Sequence, residues 1–347
     1  MKRDPELSTD RHRPVRMSDI AKLAGVSAST VSRALTGHSA IPEATRDSIQ
    51  EIATRLGYVV NQSARRLRRS ETQTIAVAVP LGHESEQLIS DPFFLRLFGH
   101  LADEISSRRY DVLLVREPSP DSGWLNRLVG SQRADGLIVI GQSTQHEALN
   151  RAAKSFRAMV VHGARLQGQR YCSVGSDNFE GGRLAANHLL QSGRRRLVFV
   201  GPGELPQIDM RLEGYRESLR EHKLTVNESD ILPAHFVGDS AFDQVKHVLA
   251  RRRRPDGIFA ASDGIALAAI RAIEAAGLRC PEDVAVVGFD DTDVASHSHP
   301  TLTTVRQDIA GIATALVDLL FRRLEGEDTP SVTLPVKLVV RESAPAR

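Results

Sequence analysis

MSDIAKLAGVSASTVSRALTG, residues Met17–Gly37, is the stretch from which the rest of the chain can be read. Ile20, Ala21, Leu23 and Ala24 recur at helical spacing, and Gly25 stops that helix. Ser27 offers an N-cap for a second helix from Ala28 to about Thr36, ended by Gly37. A helix, a tight turn and a second helix that opens on small hydroxyl residues have the layout of a helix-turn-helix. Reading a major groove needs a helix whose N-terminal side chains reach base edges. Ala28, Ser29 and Arg33 are expected to face outward, with Val31 and Ala34 packed inward. Arg33 suits bidentate recognition of guanine, while Ser27, Thr30 and Ser32 suit phosphates and would fix the register. Ala28 has only an apolar contact to offer a base. The same spacing also fits an ordinary helical hairpin with a solvated arginine.

Outward from this segment, Pro42 and Glu43 open a third helix that runs to about Leu56, with Gly57 behind it. Ile49, Ile52, Ala53 and Leu56 form its inner stripe. Residues 1–16 are polar, hold two prolines and show no periodicity, so a disordered basic arm is expected there. They lack the apolar stretch of a secretory signal. Residues 59–71, VVNQSARRLRRSE, place four arginines around one leucine, too little apolar surface for a helix in isolation. Residues 1–70 carry a net charge of +6 and the remainder −4, within +2 for all 347 residues. A basic end on a mildly acidic body points to a polyanion as that end's partner.

From Thr74 the pattern changes. Short runs rich in Val and Ile, at IAVAVP from Ile75, DVLLV from Asp111, GLIVIG from Gly136 and AMVVHG from Ala158, read as strands. LVFVG from Leu197, GIFAAS from Gly257 and VAVVGFD from Val284 continue the series. Helical stretches at Phe94–Arg108, Gly182–Ser192, Arg211–His222, Ser240–Arg251 and Asp263–Ala276 alternate with them. Strands buried on both faces and separated by helices form a parallel, doubly wound sheet. Seven such units exceed one comfortable sheet, so two similar subdomains are expected. Their ligand site would lie in the cleft outside the strands' carboxyl ends.

DIAKLAGVSASTVSRALTG and the following IPEATRDSIQEIATRLGYVVNQSARRL resemble, almost position by position, the headpiece and hinge of the Lac repressor/galactose repressor family of bacterial regulators. The resemblance continues through DPFF at Asp91–Phe94, SDNFEGGRLAANHLLQSGRRRLVFVGP at Ser176–Pro202, RLEGYRESL at Arg211–Leu219, PDGIFAASDGIALAAIRAIEAAGLRCPEDVAVVGFDD at Pro255–Asp291 and HPTLTTVRQD at His299–Asp308. It implies a small all-α helix-turn-helix headpiece and a hinge helix, joined to an α/β body like a periplasmic binding protein. The implied division is an arm at 1–16, the DNA-binding domain at 17–60, the hinge at 61–71, an effector-binding and dimerisation domain at 72–343, and a tail at 344–347.

The resemblance also implies roles. Leu67 matches the hinge leucine that wedges into the minor groove at the centre of a palindromic operator. Unstacking a base step bends the duplex toward flanking cations, here Arg65, Arg66, Arg68 and Arg69. Asn61 joins the implied DNA contacts. Two headpieces imply a homodimer on a pseudo-palindrome. In the cleft, Arg211 matches the family's ligand-gripping arginine and Asp290 an acid that accepts from sugar hydroxyls. Asp263 stands where the family has a polar–acidic pair, next to Ser262 where some members use asparagine. Phe93 and Phe94 are expected as an apolar cleft wall. The implied effector is a small molecule, most often a sugar in this family, and no cofactor is implied. Leu81–Ser90 departs from the family by its length.

Other features point elsewhere or nowhere. The runs Arg194–Arg196 and Arg251–Arg254 each end a helix before a strand and read as solvated surface. His297 and His299 have no partner set for a metal, and GPGE at Gly201 lacks the spacing of a phosphate loop. Cys172 and Cys280 lie far apart and read as small core residues in a reducing cytoplasm. No apolar run is long enough to span a bilayer. An exported sugar-binding protein would explain the body but not residues 17–69. An enzyme would need a catalytic base set that the sequence does not display.

Overall fold

The computed structural model describes residues 15–35, 40–58, 72–81, 89–236 and 239–346. The chain divides into two compact units, Met1–Ser70 and Glu71–Arg347.

In the first unit, α1 (Met17–Ala24), α2 (Ala28–Leu35) and α3 (Glu43–Arg55) pack around Ile20, Val31 and Ile49, which are completely buried. α1 stops where the sequence places its stop. Gly25 has φ 66°, a left-handed conformation that a side chain would strain. Ser27 then caps α2, its Oγ accepting from the Thr30 N–H at 3.1 Å. A serine cap is worth about 1 kcal/mol, a sizeable share of what a three-helix core this small provides.

The second unit contains two six-stranded sheets. In the first, β1 (Thr74–Pro80), β2 (Asp111–Glu117), β3 (Gly136–Ile140), β4 (Met159–His162) and β5 (Cys172–Ser176) are joined by β11 (Val332–Leu334), in the order β11-β5-β4-β3-β1-β2. In the second, β6 (Leu197–Gly201), β7 (Ile231–Pro233), β8 (Gly257–Ala260), β9 (Ala285–Asp290) and β10 (Thr303–Arg306) are joined by β12 (Lys337–Val339), in the order β12-β10-β9-β8-β6-β7. All pairings are parallel except β10 with β12. This is the two-subdomain, doubly wound body expected from the alternation of apolar runs and helices.

Three details differ from the sequence reading. β2 is an edge strand and is not buried on both faces: Val112 and Leu114 are 39% and 47% exposed. The helices Trp124–Gly130, His146–Ser155 and Ile309–Leu324 and the short strands β5, β7, β10, β11 and β12 are additional. The body also extends past residue 343. Ala344 is 1% exposed, and its carbonyl accepts from His188 Nε2 at 2.7 Å and from Thr303 Oγ1 at 3.1 Å, so it belongs to the core rather than a tail.

The chain passes from one subdomain to the other three times: between β5 and the helix Asn178–Gln191, between β10 and the helix Ile309–Leu324, and between β11 and β12. That last long helix packs on the first sheet although it follows the second in sequence; Leu316 and Leu320 are fully buried there beside Ile75 and Ile138.

Candidate functional site

At the start of α2, Ala28 and Ser29 are exposed, as is Arg33 one turn on. Val31 (0% exposed) and Ala34 (2%) hold the opposite side in the core, so Arg33 is presented outward by the packing itself. The hydroxyls of Ser27, Ser29 and Thr30 form a cluster, with Ser27 Oγ 2.7 Å from Ser29 Oγ and 2.8 Å from Thr30 Oγ1. Ser27 and Thr30 are half-committed to the cap, and Ser32 is half-buried. Asn61, Arg65, Leu67 and Arg68 lie outside the described residues.

The second site opens between the two sheets, with about 840 Å³ of empty space including its mouth. Parallel strands end there, and their last residues supply its walls. His162 ends β4, Ser176 ends β5 and Asp290 ends β9. Phe93 and Phe94 enter from the first turn of the helix Pro92–Ser107, which Asp91 caps by accepting from the Phe93 N–H at 2.9 Å. The two rings meet edge to face at 5.9 Å and form an apolar side to the cavity.

Arg211 is 6% exposed, a guanidinium far from bulk water. Its Nε donates to Asn178 Oδ1 at 2.8 Å and its Nη1 to the Ala261 carbonyl at 2.5 Å. Its Cζ lies 3.5 Å above the Phe289 ring. Burial pulls its pKa down to about 10, and the carboxylates of Asp290 and Asp263 oppose that fall. Asp290 is equally enclosed, and burial lifts its carboxyl well above the usual range against the pull of Arg211. Its backbone sits at φ 115°, a region sparsely used by side-chain-bearing residues, which costs on the order of 1–3 kcal/mol. Gln307 Nε2 donates to Asp290 Oδ1 at 2.7 Å. The neighbouring Asp291, at φ 53°, is clamped by Arg306 at 2.5 Å and Arg341 at 2.7 Å. These contacts hold the strained pair in place.

Asp263 does not line the cavity. Its Oδ1 accepts from Thr304 Oγ1 at 2.6 Å, and its Oδ2 from the Thr292 N–H and Oγ1 at 2.8 and 2.9 Å. It is 1% exposed, and its bonds tie the helix Asp263–Ala275 to β10 and to the turn after β9 rather than reaching the cavity. Burial raises its pKa to about 6. The lining position there belongs to its neighbour Ser262, whose Oγ also caps the helix Asp263–Ala275.

The structure adds contacts that the sequence reading passed over, above all His162 and Ser176. Among the described residues, His162 Nδ1 and Ser176 Oγ are buried with no hydrogen-bond partner, and both face the cavity. An unpaired buried polar atom costs about 1–3 kcal/mol, so two on one cavity wall point to a bound molecule that satisfies them. The His162 ring lies 5.5 Å from that of Phe93, and burial depresses its pKa to about 4. The signal for both was positional: each is the final residue of a short strand that ends in the cleft.

A depressed histidine makes a testable pH dependence. Between pH 4 and its ordinary 6.5 the unfolded chain takes up a proton that the folded chain refuses. His162 therefore contributes stability that is complete above pH 6.5 and is lost as the pH falls toward 4, by up to about 3 kcal/mol. Asp263 and Asp290, with raised values, slope the other way. The melting-temperature gap between the wild type and His162→Asn is thus expected to change steadily from pH 4 to 6.5 in the wild type's favour and to stay flat above. A gap independent of pH over that window would refute a buried neutral imidazole.

A buried arginine and a buried aspartate on one cavity, flanked by neutral polar groups and an aromatic wall, suit a compact polyhydroxylated ligand. Residues 16–61 match the model of bacterial regulatory proteins of the lacI family, and residues 186–344 match a periplasmic binding protein-like domain. The chain is 33% identical over 341 residues to the HTH-type transcriptional regulator CelR of Thermobifida fusca, covering 96% of this chain and 99% of that protein. It belongs to the LacI family. This LacI-family chain is therefore a transcriptional regulator and not an enzyme. Among solved structures it superposes on a Lac repressor dimer bound to operator and the anti-inducer ONPF with a TM-score of 0.85 at 25% identity, over 96% of this chain and all of that one. A CelR–cellobiose complex matches with a TM-score of 0.71 at 32% identity, over 95% and 100%. Among the described residues of this family member no helix is long and apolar enough to cross a membrane, and no group of three His, Cys, Asp or Glu side chains is placed to hold a metal ion.

Proposed function

We propose that the chain is an operator-binding repressor whose DNA affinity is set by a sugar bound between the two subdomains. The buried guanidinium of Arg211 and carboxyl of Asp290, which line the cleft beside His162 Nδ1 and Ser176 Oγ, unpartnered among the described residues, carry this reading. A sugar supplies hydroxyls that both donate and accept, and a C–H face for Phe93 and Phe94. The cellobiose held by the solved CelR complex is consistent with that chemistry. On the DNA side, α2 enters the major groove with Ala28, Ser29 and Arg33 toward the bases and Ser27, Thr30 and Ser32 toward phosphates. Asn61, Arg65, Leu67 and Arg68 extend the contact into the minor groove. Ligand that favours the closed cleft over the open one shifts the subdomains and with them the hinges.

A homodimer fits the exposed edge of the first sheet. β2 leaves one side without a strand partner, and Val112, Leu114 and, on the adjoining helix, Leu95 (54% exposed) place apolar side chains on the surface. Leu114→Glu is expected to raise the dimer dissociation constant by about 10–100-fold, read by sedimentation at graded concentration. A variant as dimeric as the wild type would remove this edge from the interface.

The direct test is fluorescence anisotropy on a palindromic duplex with a central CG step against a scrambled duplex. Preference for the palindrome by roughly 10³ or more is expected, followed by a 5–150-fold change on adding the cognate sugar. Arg33→Ala should lose about 1–3 kcal/mol of discrimination at one base pair in each half-site. Equal binding to both duplexes, or operator affinity indifferent to every sugar in a mono- and disaccharide panel, would sink the proposal.

A further inference from the structure

The two sheets share a device at their amino-terminal edges. Asp135 and Asp256 each stand just before a glycine that opens a strand, β3 at Gly136 and β8 at Gly257. Asp256 Oδ1 accepts from the N–H groups of Arg195 and Arg196 at 2.9 and 2.8 Å, and those residues lead into the neighbouring β6. Asp135 does the same for β1. Its Oδ1 accepts from the Thr72 N–H at 2.6 Å and from Thr72 Oγ1 at 3.0 Å, and its Oδ2 from the Gln73 N–H at 2.7 Å. Bonds from backbone N–H groups to a carboxylate are among the stronger hydrogen bonds a protein makes.

The two clamps differ in what they hold. In the second subdomain the clamped amides belong to the two residues just before Leu197, which lies opposite Gly257. In the first they lie one residue further back from Ile75, which lies opposite Gly136. The shift is taken up at Gln73, whose φ is 48°, whereas neither Arg195 nor Arg196 has a positive φ. A residue with a side chain keeps that conformation only where its surroundings fix it. Here they do. The Gln73 carbonyl accepts from the Asp111 N–H at 2.8 Å, and the Asp135 N–H donates to the Thr74 carbonyl at 2.8 Å, so the turn is pinned from β2 and β3 at once.

What comes before each clamp differs too. Arg195 and Arg196 follow the helix Asn178–Gln191 of the body, but Thr72 lies next to the division of the chain into its two units, after Ser70. From the pinned turn β1 and β3 run side by side, buried throughout their pairing, to the cleft, where Pro80, Leu81, Ile140 and Gly141 line the cavity. One end of this strand pair meets the ligand site and the other holds the chain that carries the headpiece.

We propose that Asp135 is a positioning residue for operator binding. By pinning the turn at Thr72 and Gln73 it makes the point where the headpiece chain leaves the body rigid with the first subdomain, so the headpieces start from fixed points and a movement of that subdomain is passed to them. The passing-on of movement rests on the reading of the cleft given above; the fixed starting point does not.

Fluorescence anisotropy on the palindromic and scrambled duplexes tests this with Asp135→Asn and Asp256→Asn. Asparagine keeps the shape of the side chain but loses its charge and turns an amide N–H toward backbone donors. Both variants should lower the melting temperature of the body by similar amounts. Only Asp135→Asn should bind DNA more weakly, by about tenfold or more, because each chain must then order a loosened lead-in on binding. Sedimentation should show the oligomeric state of the wild type for both. If Asp135→Asn does not fold, Thr72→Val, which removes one of the three bonds to Asp135, takes its place with an expected loss of about threefold. Wild-type DNA affinity in the clamp variant, an equal loss in Asp256→Asn, or a loss matched by dissociation of the oligomer would overturn the assignment. If instead no sugar alters the DNA affinity of the wild type, the reading of the cleft fails, while the comparison of the two clamps still decides the role of Asp135.

Discussion

Gly214→Ala should lower the melting temperature of the body by several degrees, although alanine is the better helix former by about 1 kcal/mol. Gly214 lies within the helix Pro206–Glu221, which crosses the helix Asn178–Gln191. A Cβ placed there would fall 1.9 Å from the Phe179 carbonyl oxygen and 2.8 Å from the Arg183 nitrogen. Both are backbone atoms and cannot rotate aside, so the helices must separate. At Gly182, on the facing helix, the added Cβ would meet the Arg211 carbonyl oxygen at 1.9 Å. Forcing extra volume into such a crossing costs about 3 kcal/mol or more, larger than the propensity gain and opposite in sign. Thermal unfolding followed by circular dichroism reads the result directly. A variant as stable as the wild type would show that the helices have room to part. Because Arg211 sits on the displaced helix, ligand binding should weaken along with stability.

Arg211→Met carries the second large effect, and it falls on binding. Methionine keeps much of the side-chain volume over Phe289 but removes the donors to Asn178 and Ala261 and the only cation facing Asp290 among the described residues. The loss leaves the Asn178 and Ala261 acceptors unsatisfied in a buried site, at a cost of about 1–3 kcal/mol, and takes from any bound ligand the one guanidinium that faces it there among the described residues. Affinity for the sugar identified in the operator assay should drop at least about 100-fold, with operator affinity retained. The variant would then stay on DNA at sugar concentrations that release the wild type. If the sugar still releases it at the wild-type concentration, Arg211 does not grip the ligand and serves to join Asn178 to β8.

The parts of this molecule that could be read beforehand share a physical cause. Runs such as IAVAVP and LVFVG are buried on both faces, which demands continuous apolar sequence and makes them visible. The short outer strands VTL and KLV bury little and leave little trace. DVLLV was legible as a strand, but its composition cannot distinguish a face covered by the same chain from one covered by another. Ile309–Leu324 carries a regular apolar stripe, yet sequence order gives no hint that it returns to the first sheet. In the cleft, Arg211 and Asp290 were legible through motifs that match a family. Asp263 belongs to the same motif block and faces away, because its position one residue into a helix turns its carboxylate toward Thr292 and Thr304. His162 lies in no quoted motif, and Ser176 only opens one, so the end of a strand is the signal that marks both as cleft residues.

The return of Ile309–Leu324 and β11 to the first sheet has a consequence for how the chain is made. As synthesis proceeds, the headpiece and then residues 72 to 176 emerge first, but the helix that fills the core beside Leu97, Leu101 and Ile138 is still to come. The first subdomain must wait, with apolar surface uncovered, until almost the whole polypeptide has left the ribosome. The second takes most of its elements from residues 178 to 306, so it can close earlier. Chains truncated just after β10 should therefore contain a second subdomain that lacks only its edge strand β12 and the segment after it, and a first one that lacks both its core helix and β11, so protease should cut the first subdomain faster; such chains would be the species most in need of a chaperone.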